Sequence, residues 1–215
     1  MNPSYVVTIR LLLLLLLTMF LLACNGEQFS AIPAGSKVLV LGDSLSFGTG
    51  ANPGQDYPAL LAQNTGWNVI NAGIPGETSE EGLSRLADLL NEHQPNLLMI
   101  ELGGNDFLKK MPITQTETNL RAIIQMAKQK YIPALLIAIP DYEPVKVAFG
   151  GLSDHSLFKK LADETQTPLI ENIFSEVLSN NSLKSDYVHP NAEGYRRVEN
   201  KLREVLTEMG LITET

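Results

Sequence analysis

Four short segments carry side chains that can do chemistry together: Gly42-Asp43-Ser44-Leu45-Ser46, Asn71-Ala72-Gly73, Gly103-Gly104-Asn105-Asp106 and Asp186-Tyr187-Val188-His189-Pro190. A hydroxyl, glycine amides, a carboxamide and an imidazole beside a carboxylate are the parts needed for acyl transfer. A serine hydroxyl is a poor nucleophile near neutral pH and needs a base to take its proton during attack, a role open to His189. The imidazole in turn needs its second nitrogen held, and Asp186, three residues earlier, can curl back to hold it. Attack creates an oxyanion that preorganised donors must meet; the candidates are the backbone amides of Ser44 and Gly73 and the side-chain amide of Asn105. Glycine at 73 would let the backbone approach a substrate closely.

Such groups work only if the fold brings them to one place. Lys37–Leu41, ending at Gly42, is an unbroken apolar run that reads as a strand buried on both faces. Similar runs are Val69–Ala72, Leu97–Leu102 and Ala134–Ile139, with a weaker one at Pro168–Ile170. Helical periods lie between them: Tyr57–Asn64, a stripe from Leu83 to Leu90, another from Leu120 to Ala127, Leu157–Glu164, and Ala192–Met209 with Gly210 placed to stop it. Thr78-Ser79-Glu80-Glu81 is a capping-box pattern, and Thr114-Gln115-Thr116-Glu117 repeats it. Strand alternating with helix five times predicts one domain, a three-layer α/β/α sandwich on a parallel sheet. Ligands of such sheets sit beyond the carboxyl ends of the strands, where the first three segments fall.

Each residue also has a plainer reading. Ser44 could cap the helix that follows it, Asn105 could be a turn residue, and Asp43, Ser46 and Asp106 read as turn or helix caps or supporting groups. His93 stands in the last turn of a helix, where packing or the dipole accounts for it. His155 follows Asp154 at a helix start, with Asp154 the expected cap. Glu77 and Thr78 form a helix start. Tyr142, Val145, Val147 and Phe149 either line an apolar pocket or pack a loop. No HExxH or paired His and carboxylate spacing supports a metal site, and no cofactor is expected.

The chain has 215 residues, with 16 Lys and Arg against 24 Asp and Glu, a net charge of −8. Its basic clusters are no larger than pairs such as Arg196-Arg197, which argues against binding nucleic acid. Neither GxGxxG nor GxxxxGK[ST] follows the first strand, which argues against a nucleotide site. A single cysteine, Cys24, excludes a disulfide framework. Arg10 is followed by an apolar run from Leu11 to Cys24. Its fourteen residues span roughly 21 Å as a helix, too short for a bilayer core, so residues 1–23 read as a signal peptide.

Leu21-Leu22-Ala23-Cys24 resembles the lipobox of bacterial lipoproteins. That likeness implies lipidation at Cys24, a tether over 24–35, a domain over 36–215, and attachment to the periplasmic side of the cell envelope. Asn25, in place of the aspartate that marks inner-membrane retention, favours the outer membrane. The plainer alternative is an ordinary signal peptide with an incidental cysteine.

Taken in order, Leu41–Ser46, Asn71–Gly73, Gly76-Glu77-Thr78-Ser79, His93-Gln94-Pro95, Glu101–Asp106 and Asp186–Asn191 resemble the motif blocks of the SGNH or GDSL hydrolase superfamily, and most closely its periplasmic thioesterase, lysophospholipase and arylesterase group. The likeness runs from about Lys37 to about Arg203. It implies a flavodoxin-like sheet of order 2-1-3-4-5, Ser44 as nucleophile with Asp186 and His189, and an oxyanion hole of Ser44, Gly73 and Asn105. It also implies a monomeric enzyme acting on a small acyl ester or lipid. The stretch Asp141–Ser153 departs from the thioesterase pattern. Substrate-binding candidates there are Tyr142, Val145 and Phe149. An O-deacetylase of envelope carbohydrate and a non-catalytic binding module on the same cleft are the alternatives.

Overall fold

A computed structural model describes residues 30–142 and 151–213. Five parallel strands form one sheet in the order β2-β1-β3-β4-β5: β1 (Lys37–Gly42), β2 (Asn68–Gly73), β3 (Leu97–Glu101), β4 (Ala134–Ile137) and β5 (Leu169–Ile170). Val38–Leu41, Leu97–Ile100 and Leu135–Ile137 are fully buried, as expected of central strands covered on both faces. β2 differs from the expected doubly buried strand. It is an edge, and its residues are half-exposed or exposed. β3 and β4 also stop short of the apolar runs that predict them, leaving Leu102, Ala138 and Ile139 buried beyond the ladder.

Helices α1 (Ser44–Phe47), α2 (Tyr57–Thr65), α3 (Ser79–His93), α4 (Gly104–Leu108), α5 (Ile113–Gln129), α6 (Ser156–Thr165), α7 (Ile173–Ser179) and α8 (Ala192–Glu208) make the connections. α3, α5 and α6 pack together on one side of the sheet, and α2, α7 and α8 on the other, which gives the three layers. α3 starts with the full capping box, Thr78 and Glu81 each accepting from the other's backbone. α5 does not use the second capping pattern. It begins at Ile113 behind Pro112, whose fixed φ suits a helix start, so Thr114 is already inside the first turn. At α6 the cap is His155, whose Nδ1 accepts from the Leu157 amide at 3.1 Å, whereas Asp154 accepts from the Asn172 amide at 2.6 Å. α8 ends at Glu208, and Gly210 takes a left-handed φ of 80° just beyond it.

The first described segment is pinned at the end of the sheet away from the four motif segments: Ile32 donates to the Leu211 carbonyl at 2.9 Å, and Trp67 Nε1 donates to the Ile32 carbonyl at 3.0 Å. No helix among the described residues is long and apolar enough to cross a membrane.

Candidate active site

β1 ends at Gly42 and the chain turns at once into α1, whose cap is Asp43; its Oδ1 accepts from the Leu45 amide at 3.0 Å. This turn lifts Ser44 to the carboxyl edge of the sheet. The loop carrying His189 comes from far along the chain and is locked on itself, Ser185 N–H donating to the His189 carbonyl and Asn191 N–H to the Leu183 carbonyl, both at 2.9 Å. It meets the β1–α2 connection at Gly50, where φ is +98° and an added Cβ would lie 2.4 Å from the Pro190 carbonyl oxygen, so a side chain there would push the two loops apart.

The three groups anticipated from the sequence come together. His189 Nε2 lies 2.9 Å from Ser44 Oγ, and His189 Nδ1 lies 2.8 Å from Asp186 Oδ2. Asp186 Oδ1 accepts from the Val188 amide at 2.8 Å and the His189 amide at 2.9 Å. Partial burial pushes the Asp186 carboxyl up, but the hydrogen bonds from the His189 ring and these amides outweigh it and hold the group below its ordinary range. Asp186 therefore stays ionised and fixes the imidazole with Nε2 toward the serine.

Two of the three anticipated oxyanion donors, Gly73 and Asn105, stand close by but are engaged. Gly73 N–H donates to Asn71 Oδ1 at 3.0 Å, and Asn105 Nδ2 donates to Asp43 Oδ2 at 2.8 Å and the Glu77 carbonyl at 3.0 Å. Glu77 is fixed by an ion pair with Arg85, which also donates to the Ala72 carbonyl at 2.6 Å. This residue is thus a clamp on the loop after β2 as well as a neighbour of the helix start. Gly73 has a different reason to be glycine from the one expected: an added Cβ would sit 2.5 Å from the Phe47 amide nitrogen and 2.8 Å from the Asp43 carbonyl. The missing side chain makes room for α1.

Beneath Ser44 lies a buried polar cluster that single-residue reading missed. Ser46 Oγ donates to Glu101 Oε2 at 2.5 Å and lies 2.7 Å from the Tyr57 hydroxyl, all three residues being fully buried. Glu101 Oε1 is buried without a partner among the described residues. Burial, reinforced by nearby Asp43, pushes the Glu101 carboxyl well above its usual range. Burial also raises Asp43, to about 6, against the opposing pull of the Leu45 amide, His189 and Asn105. Of the two adjacent carboxyls Asp43, with two N–H donors on it, ionises first. The signal available in the sequence was the position of Glu101, an acidic residue closing the apolar run of β3.

Asp106 lies inside α4 and does not cap it. Its carboxylate accepts from the Ser79 amide at 2.8 Å, the Ser79 hydroxyl at 2.5 Å and the Thr116 hydroxyl at 3.1 Å, tying together α3, α4 and α5. His93 ends α3, and His155 stacks on Phe107 with ring centroids 4.3 Å apart; neither reaches Ser44 as a partner. A cleft of about 230 Å³ opens over Ser44 and His189 and is lined by Leu45, Pro75, Asn105, Leu108, Tyr142 and Val188, among others. Tyr142 therefore stands where a pocket residue should. Val145 and Phe149, like Cys24 and the signal peptide expected over residues 1–23, lie outside the described residues. Among the described residues no His, Cys, Asp and Glu cluster is arranged to hold a metal.

Comparison with known proteins agrees with this arrangement. The profile of the GDSL-like Lipase/Acylhydrolase family matches residues 40–197, a span that contains all four motif segments. Thioesterase 1/protease 1/lysophospholipase L1 of Escherichia coli (strain K12) is 38% identical over 168 residues, covering 74% of this chain and 78% of that protein. Arylesterase of Vibrio mimicus is 33% identical over 189 residues, covering 83% and 90%. The crystal structure of the psychrotrophic esterase EstA from Pseudoalteromonas sp., inhibited by monoethylphosphonate, has a TM-score of 0.69 at 27% identity and covers 80% of this chain and 97% of that one. A five-stranded sheet of order 2-1-3-4-5 and homology over most of the domain place the chain in the GDSL-like lipase/acylhydrolase family, the SGNH hydrolases, as a hydrolase of ester bonds.

Proposed function

We propose that the protein cleaves carboxylic esters or thioesters of acyl groups, such as lysophospholipids, acyl thioesters or aryl esters, through an acyl-serine intermediate. The observation that carries this reading is the continuous line Asp186–His189–Ser44, with spacings of 2.8 and 2.9 Å. Ser44 Oγ attacks the carbonyl carbon as its proton passes to His189 Nε2, and ionised Asp186 stabilises the resulting imidazolium. The Ser44 and Gly73 amides and the Asn105 carboxamide share their hydrogens with the developing oxyanion; Gly73 and Asn105 turn from their present acceptors, Asn71 Oδ1, Asp43 Oδ2 and the Glu77 carbonyl, as charge develops. Collapse expels the alkoxide or thiolate, which takes the proton from His189. Water, deprotonated by the same imidazole, then releases the acid and restores Ser44. The reaction needs no metal or cofactor. Residues 1–23 serve as the leader and Cys24 as the lipid-bearing anchor that holds a monomer on the periplasmic face of the envelope, at the outer membrane.

The relatives' names, thioesterase, lysophospholipase and arylesterase, support the acyl-ester class. A p-nitrophenyl ester series of rising acyl length, an acyl thioester and acetylated xylan, each with wild type and Ser44→Ala, tests it. Turnover of the acyl esters that vanishes in Ser44→Ala is expected. Turnover confined to the acetylated sugar would move the assignment to a deacetylase, and an unchanged rate in Ser44→Ala would refute the mechanism.

A further inference from the structure

Among the described residues six large apolar side chains are exposed: Phe47, Ile74, Leu108, Ile113, Tyr187 and Tyr131. Scattered single exposures are ordinary on a protein surface. These are not scattered. Five, exposed by 47% to 69%, stand at the carboxyl edge of the sheet on five different segments: the end of α1, the loop after β2, the end of α4, the start of α5, and the loop between Asp186 and His189. Tyr131 alone lies elsewhere, just before β4. Leu108 lines the Ser44 cleft itself, and Ile74 and Tyr187 each adjoin a residue that does, Pro75 and Val188. Phe47 ends α1, whose backbone packs closely on Gly73 at the end of β2, just before the loop that carries Ile74.

We infer that this apolar rim is a docking surface for lipid, which seats the Ser44 cleft on an aggregate of amphiphiles so that an acyl ester enters directly from that surface. The inference rests on the acyl-ester reading above and adds where the substrate is met. Continuity favours a lipid occupant: Leu108 lines the opening through which the ester must pass and Ile74 and Tyr187 adjoin residues that do, so the body that supplies the ester is the body that covers these side chains. Charge favours it too. Lys109 and Lys110 follow Leu108, with Lys109 Nζ held on the Gly76 carbonyl at 3.0 Å, and Asp186 spends its carboxylate on His189. On a chain of net charge −8 these two lysines set cationic groups beside Leu108 that suit phosphate-bearing headgroups. Exposed apolar side chains of this kind enter the boundary between headgroups and acyl chains.

The test uses Phe47→Ser and Ile113→Ser, on separate elements, singly and together. Rates are measured on lysophosphatidylcholine across its critical micelle concentration and on a dissolved short-chain p-nitrophenyl ester, with flotation on phosphatidylcholine vesicles alongside. A wild-type rate that climbs steeply once micelles form is expected, with vesicle binding. The variants should lose both several-fold while keeping the wild-type rate on the dissolved ester. Wild type that neither floats nor responds to micelles, or variants that lose both substrates equally, would overturn the inference. So would a concentration-dependent dimer dissolved by the same substitutions, which would give the rim to a second copy of the chain. If wild type cleaves neither substrate, the acyl-ester reading fails by itself, and flotation alone decides the rim.

Discussion

Two serines stand two residues apart at the start of α1, and the structure gives them opposite jobs. Ser46→Ala separates them. Ser46 Oγ is fully buried and bonded to Glu101 Oε2 at 2.5 Å and to the Tyr57 hydroxyl at 2.7 Å. Its removal deletes two hydrogen bonds, each worth about 1 kcal/mol net, and strands a buried tyrosine hydroxyl at a further cost of about 1–3 kcal/mol. Glu101 Oε2 keeps only a long contact of 3.4 Å from the Asp43 amide. The expected loss is about 3 kcal/mol, which for a domain of this size lowers Tm by roughly 6–12 °C. Ser44 Oγ and His189 Nε2 are untouched, so kcat on a dissolved ester should fall by less than about tenfold. Ser44→Ala should do the reverse, abolishing turnover while changing stability by less than about 1 kcal/mol. Urea unfolding followed by far-UV circular dichroism, with esterase rates on the same samples, reads both quantities. A Ser46→Ala protein as stable as wild type, or as inactive as Ser44→Ala, would refute the supporting role of the buried cluster.

Three further outcomes follow from the site. Because the folded Asp43 carboxyl is raised from 3.8 to about 6, its stabilisation is fully present below pH 4 and is lost as pH rises through 6. The unfolding free energy of wild type relative to Asp43→Asn should therefore drop by about 2 kcal/mol between pH 4 and 7.5, and a flat difference in paired urea titrations would contradict a titrating buried Asp43. In Asp43→Asn, where that second titrating carboxyl is gone, the acid limb of log kcat/KM against pH should have a slope of one, because hydrogen bonds hold Asp186 below its ordinary range; a slope of two in that variant would implicate Asp186 as well. Asn105→Ala removes a donor and leaves Asp43 Oδ2 without its partner, and should lower kcat by about 10²–10³ with a smaller change in KM, measured on a soluble p-nitrophenyl ester. A KM effect alone would make Asn105 a binding residue.

What could be read from the sequence was whatever repeats with the period of an element or must sit beside its end. Val38–Leu41 and Leu97–Ile100 are continuous apolar runs because both faces of β1 and β3 are covered, and the segments that follow them had to meet at one sheet edge. His189 could be matched to Ser44 by chemistry, with only three histidines to choose from. Contacts made across the fold were not legible. That Asp106 holds Ser79 and Thr116, that Gly73 yields space to α1, and that Ser46, Tyr57 and Glu101 form one cluster depend on pairs of segments whose closeness no local pattern announces. α1 and α4, of four and five residues, are too short to show a helical period at all. The cap at α6 was misplaced for a related reason: Asp154 is the better capping residue by type, but β5 and α7 bring the Asn172 amide to it, and His155 takes the helix end.

The central claim is an activated Ser44, and a fluorophosphonate probe, which bonds to a serine only when that serine is nucleophilic, measures it most directly. Purified wild type, Ser44→Ala and His189→Ala are to be compared, with intact mass spectrometry to locate and count the adduct. One adduct on wild type at Ser44, none on Ser44→Ala and strongly slowed labelling of His189→Ala are predicted. Folded wild type that takes no label, or Ser44→Ala that labels as fast as wild type, would contradict the account.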